Sequence, residues 1–301
     1  MSEMENPRCG VVAVIGAPNA GKSTLVNQLV GQKVAITSAK AQTTRARLLG
    51  IALEGSVQII LADTPGIFAP KRRLDRAMVS AAWEGAVAAD AVLLVVDTVK
   101  QRRHELEPLL ENLKDRPERK ILVLNKVDTG RKETLLTLAQ DFSAKVEFAD
   151  VYFVSALTGD GVPELKAHLA GLMPEGPWHY PEDQVSDASE RLLAAEVTRE
   201  QLYRQLHDEL PYDSAVRPEA YTTRKDGSVE IHQQIVIARD SQKSIVLGKR
   251  GAKIKAIGEA ARAELSEILG VPVHLYLHVK VEENWAESKE IFEEIGLDWV
   301  R

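Results

Sequence analysis

The chain has 301 residues, 45% of them apolar and 27% charged, with a formal charge of -6. That length implies two domains, and the acidic balance excludes a uniformly basic surface while leaving room for a local basic patch. The single cysteine, Cys9, excludes an internal disulfide and suits a reducing compartment, and residues 1–7 carry neither an apolar export core nor an Arg-rich import pattern.

In chain order, short apolar runs at 11–15, 57–63, 91–97, 121–125 and 151–155 read as buried strands. Between or after them, amphipathic stretches at 22–30, 74–87, 103–113, 132–145 and 163–172 read as helices. This alternation implies a mostly parallel sheet with helices on both faces. The long apolar stretch 77–96 contains Glu84 and Asp90, so it reads as a helix and then a strand, not a membrane span. At 173–185, three prolines and a glycine stop any helix, which marks a boundary. The expected layout is a first domain over 1–178, a linker over 179–188 and a second domain over 189–301.

The second domain opens with an amphipathic helix at 189–207. Alternating strands at 215–224 and 229–238 flank the turn Lys225-Asp226-Gly227-Ser228. A short helix at 244–247, a glycine-flanked loop, a helix at 253–269 and a strand at 273–281 follow, and the acidic tail 282–294 reads as a solvated helix.

Gly16-Ala17-Pro18-Asn19-Ala20-Gly21-Lys22-Ser23, with Thr24 after it, follows the first strand and opens the first helix, the context a P-loop requires. Glycines let such a loop turn its backbone N–H groups toward phosphate oxygens, and the helix N-terminus adds partial positive charge. Lys22 is placed to reach the β- and γ-phosphates and Ser23 to coordinate magnesium. Asp63-Thr64-Pro65-Gly66 ends the next long strand, where Asp63 suits magnesium and the Gly66 N–H suits the γ-phosphate.

Asn125-Lys126-Val127-Asp128 follows the strand at 121–125. The Asp128 carboxylate can accept from the guanine ring N–H and amine, which adenine lacks. Asn125 can tie this loop to the P-loop, the Lys126 stem can cover the base, and the Ala156 N–H of Ser155-Ala156 can donate to the guanine oxygen. Each motif alone is a common loop; four in order, each at a successive strand end, are not.

These motifs resemble the translation-factor-related GTPases, and with the second half the chain resembles the bacterial Era family over nearly its whole length. The resemblance implies an α/β P-loop GTPase domain followed by an α+β type II KH domain. Lys40-Ala41-Gln42-Thr43-Thr44-Arg45 resembles the Era switch I, which implies a magnesium-closing threonine, with Thr44 preferred over Thr43. Many GTPases carry a water-orienting glutamine after the Asp-x-x-Gly glycine; here Ile67 stands there, so intrinsic turnover is expected to be slow. In related GTPases an asparagine at the place of Asn19 binds potassium, so K+ near the γ-phosphate and simple capping of the loop both stand as readings.

Gly248-Lys249-Arg250-Gly251 is a Gly-x-x-Gly loop in a segment, 239–255, with six Lys/Arg and one Asp. It resembles a KH domain whose hairpin precedes the loop. Glycines permit close approach to a single-stranded RNA backbone; Lys249, Arg250 and Lys253 favour phosphate, and bases are expected against Ile245, Val246, Ile254 and Ile257. The resemblance further implies GTP/GDP and Mg2+ as ligands, and binding to the single-stranded 3′ region of small-subunit ribosomal RNA, not to DNA. It implies a role in assembling the small ribosomal subunit in the cytoplasm, with peripheral contact to the inner membrane. The rivals are a signalling GTPase with a protein-binding second domain, and an RNA-binding module that has lost turnover.

Overall fold

The computed structural model describes residues 6–37, 45, 48–64, 89–100, 103–130, 132–207, 210–295 and 299. The expected helix at 74–87, Thr43, Thr44, Pro65, Gly66 and Ile67 lie outside them. Among the described residues the chain forms two compact units: the first takes in residues up to Ala35, residue 45 and those from 48 to Asp187, and the second those from Ala188 on, with Ile36 and Thr37.

The first unit is a six-stranded sheet in the order β2-β3-β1-β4-β5-β6. Its strands are β1 (Arg8–Ile15), β2 (Leu48–Glu54), β3 (Val57–Asp63), β4 (Ala91–Asp97), β5 (Arg119–Asn125) and β6 (Asp150–Val154). All pair in parallel except β2, which returns antiparallel along β3. β3 and β4 are buried at every position, as expected of strands covered on both faces. The helices are α1 (Lys22–Val30), α2 (Arg103–Lys114), α3 (Lys132–Ser143) and α4 (Val162–Leu172). Leu25, Val26 and Leu29 of α1 and Leu165 and Leu169 of α4 pack with Val12, Val14 and Leu93 on one face; Leu109, Leu113, Leu138 and Phe142 pack with Ala13, Ile15 and Leu94 on the other.

Strand β2 is absent from the sequence reading. Gly50 interrupts its apolar run, and its partner β3 already reads as complete. The stretch from Pro174 to Val185, which runs from the end of the expected first domain into the expected linker 179–188, is strapped along the sheet. Cys9 N–H donates to Pro174 O, Trp178 Nε1 to Ser56 O, and Ile51 N–H to Val185 O. The buried Gln58 is the fastening point: its Oε1 accepts from His179 N (2.9 Å) and Tyr180 N (3.0 Å), and its Nε2 donates to Tyr180 O (2.9 Å). The strap satisfies edge groups that would otherwise invite another strand.

In the second unit, β7 (Ser214–Thr223) and β8 (Val229–Ile237) form a hairpin, and β9 (Val273–Val281) joins β8 in parallel as the far strand. Helices α5 (Glu190–Gln205), α6 (Asp240–Leu247) and α7 (Ala252–Leu269) accompany this sheet. Ile235 of β8 packs with Ala195 and Leu202 of α5 and Ile257 of α7, and Ile231 packs with Val197 of α5 and Leu265 of α7. The acidic tail is not simply solvated. It forms α8 (Lys289–Glu294), in which Ile291 and Phe292 are fully buried, and Trp285 just before it is buried with its indole donating to Asp213 O. The many glutamates masked one apolar face. Among the described residues no helix is long and apolar enough to cross a membrane.

Candidate functional site

The parallel strands carry their chemistry at their carboxyl ends. There, β1 gives way to the P-loop, β3 ends on Asp63, β4 on Asp97, β5 on Asn125, and β6 leads into Ser155 and Ala156. The P-loop curls through Gly16, Asn19 (φ 63°) and Gly21 (φ 95°) before α1 begins at Lys22. Gly21 cannot be replaced without movement, because a Cβ there would lie 2.2 Å from the Asn125 amide nitrogen. Helix α1 has no side-chain N-cap and no acidic residue in its first turn, so its leading N–H groups are left for an anion. Ala17, Pro18 and Ala20 are buried and complete the turn, with Ala20 N–H donating to Ala17 O.

Lys22 is buried, and its ammonium donates to Gly16 O (3.2 Å) and Ala17 O (3.1 Å) inside the loop. Burial lowers its pKa to about 8, partly opposed by the Asp63 carboxylate. Phosphate oxygens would hold the lysine charged, so binding above pH 8 must take up a proton. Nucleotide affinity is therefore expected to begin falling near pH 8, approaching tenfold per pH unit above it. The window from pH 8 to about 9 tests this, below ionisation of the guanine ring; a flat profile there would contradict it. Protein stability without nucleotide moves the opposite way. The Lys22 contribution is fully present only above the unfolded pKa of about 10.4 and is lost as pH falls through about 8.

Ser23 Oγ donates to Asp63 Oδ2 at 2.8 Å. A hydroxyl and a carboxylate meeting beside the phosphate loop are oxygen donors suited to a hard divalent cation. Thr64, fully buried, turns its hydroxyl to Val14 O (2.7 Å), so its side chain serves the core.

The base loop is tied to the P-loop twice. Asn125 Nδ2 donates to Ala20 O (2.8 Å), and Lys126 Nζ donates to Asn19 O (2.8 Å). Asn125 Oδ1 accepts from Lys126 N (2.8 Å) and Ala156 N (2.9 Å). The Ala156 N–H, expected to meet the guanine oxygen, is thus used on Asn125. Ser155 is buried, and its Oγ accepts from Thr158 N (3.2 Å), which shapes the following turn. Asp128 is exposed at the tip of the loop. Two residues that the sequence reading passed over also belong here, Asp97 and Thr98 at the end of β4; an Asp closing an apolar strand beside two other strand-end motifs was the available signal.

In the second unit, α6 ends at Gly248, Lys249–Gly251 form a single 3-10 turn, and α7 starts from Gly251 with no side-chain cap and no acid in its first turn. Lys249 and Arg250 are exposed, and Arg250 is left-handed (φ 52°). Ile245 is exposed and Ile254 partly so, but Val246 and Ile257 are fully buried core residues and cannot face a base. A cavity of about 370 Å³ lies between α7 and β9, lined by Ile254, Lys255, Gly258, Arg262, Leu275 and Tyr276. Tyr276 is half-exposed and stacks on His232, with ring centroids 4.7 Å apart.

Comparison with known proteins agrees with both units. Residues 11–126 match the family model described as 50S ribosome-binding GTPase, and residues 209–286 match that of the KH domain. The chain is 81% identical over 298 residues to GTPase Era of Erythrobacter litoralis (strain HTCC2594), covering 98% of each. It is 57% identical over 292 residues to GTPase Era of Rhizobium meliloti (strain 1021), covering 97% of this chain and 93% of that one. A crystal structure of Era in complex with MgGDPNP and nucleotides 1506–1542 of 16S ribosomal RNA superposes with a TM-score of 0.91 at 37% identity, covering 96% of this chain and 99% of that one. An Aquifex aeolicus Era variant bound to GDP·AlF4− gives the same values.

Proposed function

The chain belongs to the Era family of GTPases, and we propose that it is a ribosome assembly factor that binds the single-stranded 3′ region of small-subunit ribosomal RNA through its KH loop. Capture and release of that RNA follow the nucleotide state. The observation that carries this reading is the pairing, in one chain, of a phosphate cradle hydrogen-bonded to a base loop with a Gly-x-x-Gly loop that opens an uncapped helix beside a groove. The likeness to an Era structure holding MgGDPNP and 16S ribosomal RNA supports it.

GTP and GDP lie in the P-loop with the base toward Asp128. Ser23 and Asp63 would hold magnesium, joined by Thr44 or Thr43 of switch I. Held there, the ion would supply positive charge to the triphosphate. Lys22 adds a second positive charge, and the first N–H groups of α1 supply fixed donors.

Crosslinking to total cellular RNA tests the function. With GTP loaded, the bound fragment is expected near the 3′ end of the small-subunit RNA, and with GDP the yield falls. Equal, scattered crosslinking in both states would overturn the proposal.

Ile67 stands where a water-orienting glutamine would be, so turnover is slow unless added positive charge near the γ-phosphate compensates. We propose that potassium supplies it, held by Asn19, whose left-handed backbone is pinned by Lys126. GTP turnover is expected to be at least tenfold faster in potassium than in sodium at equal ionic strength. Equal rates would leave Asn19 as a loop-shaping residue only.

A further inference from the structure

We propose that Asp97 is a positioning residue for the nucleotide: it holds Lys126 across the floor of the base pocket, and so locks the base loop to the P-loop. The inference rests on Asn125–Asp128 being the base loop.

Asp97 ends β4 and is only 7% exposed. Its Oδ1 accepts from the N–H groups of Val99 (2.8 Å) and Lys100 (2.9 Å), which fixes the carboxylate plane. Its Oδ2 meets Lys126 Nζ at 2.7 Å. The same ammonium donates to Asn19 O at 2.8 Å. Lys126 is therefore held from both sides, by a carboxylate at the end of one strand and by a P-loop carbonyl. Hydrogen bonds from Lys126 and from the two backbone N–H groups depress the Asp97 pKa despite its burial.

The neighbouring Thr98 works on the same loop. Its N–H donates to Asn125 O, and its Oγ1 lies 2.9 Å from Asn125 O and 3.2 Å from Lys126 O. Both Lys126 (φ 69°) and Asn19 (φ 63°) sit in the left-handed region, which asparagine tolerates but which costs a lysine free energy. The Lys126 bridge joins these two left-handed turns directly. Without the carboxylate, the long lysine side chain regains its rotamers and the Asn19 carbonyl loses a charged donor. A site that reads a base through one loop and a triphosphate through the other depends on the distance between them, and Asp97 sets one of the two ties that hold it.

The test is nucleotide release, measured with a fluorescent GDP analogue chased by unlabelled GDP. Asp97→Asn keeps an oxygen for the Val99 and Lys100 N–H groups but turns an amide toward Lys126. Release is expected to be about 10- to 100-fold faster, the size of one charge-assisted hydrogen bond. The ratio of GTP to ITP affinity should not change, because Lys126 does not read the exocyclic amine. Lys126→Met keeps the apolar stem and removes the same contact from its other end, and the double variant should release no faster than either single one. A purely structural role for Asp97 would give additive effects and a lowered melting temperature instead. Release within twofold of the parent in either single variant, or additivity in the double, overturns the proposal. Asp128→Asn is the control. If it shifts base preference while Asp97→Asn changes nothing, the base loop stands and only the positioning role falls.

Discussion

Asp128→Asn is expected to lower GTP affinity by about 10³-fold and to make xanthosine triphosphate the preferred nucleotide. In the proposed site the carboxylate would accept from two guanine donors at once, and an amide in its place would set a donor against a donor. Sites built around such pairing discriminate by about 10⁴–10⁵, because the mismatch leaves polar groups desolvated without partners. Xanthine carries a carbonyl where guanine has its amine, so the new amide regains a partner. The loop that presents residue 128 is held by Asn125 and Thr98 through contacts that do not involve Asp128 itself. The exposed side chain should therefore exchange without disturbing the fold. Competition of GTP, XTP, ITP and ATP against a fluorescent nucleotide measures the effect. A variant that still prefers GTP would remove Asp128 from the base site.

What the sequence reveals most directly is what local geometry encodes. A glycine spacing, a strand that ends on an acid and an Asn-Lys-x-Asp turn are short-range patterns, and the fold brings them together because parallel strands deliver all their carboxyl ends to one side. Features that depend on distant partners stay hidden. Gln58 reads as one polar residue in an apolar strand; only the fold shows it gripping His179 and Tyr180, and that the prolines there mark a strap and not a linker. Strand β2 depends on β3 for its register and contains Gly50, so its seven residues carry weak periodicity. Val246 follows the exposed Ile245 on α6, yet one residue along a helix is a rotation of about 100°, enough to separate core from surface. The tail 282–294 shows the reverse error, since its charge count hides Trp285, Ile291 and Phe292. Asp97 and Thr98 escape notice because their roles lie in what they hold, namely Lys126 and the Asn125 carbonyl.

The Gly-x-x-Gly loop gives the second large effect, and its two glycines are not equivalent. A Cβ on Gly248 would lie 2.6 Å from Lys253 Cβ and 2.9 Å from its backbone nitrogen, so any side chain there reshapes the start of α7. A Cβ on Gly251 meets nothing within 4 Å. Gly251 is required only for its φ of 77°, a conformation that aspartate tolerates better than most residues. Gly251→Asp therefore sets a negative charge beside the uncapped N-terminus of α7, next to the exposed Lys249 and Arg250 proposed to meet phosphate. RNA affinity is expected to fall about 100-fold, with a shallower dependence on salt because fewer counterions are released. Gly251→Asn tolerates the left-handed backbone as aspartate does but adds no charge, and should lose only a few-fold. Filter binding of a single-stranded RNA across a salt series, with thermal melting to check that the domain stays folded, separates the two. Equal losses in both variants would mean that shape, not phosphate, governs the loop. No loss in either would place the RNA elsewhere on the domain.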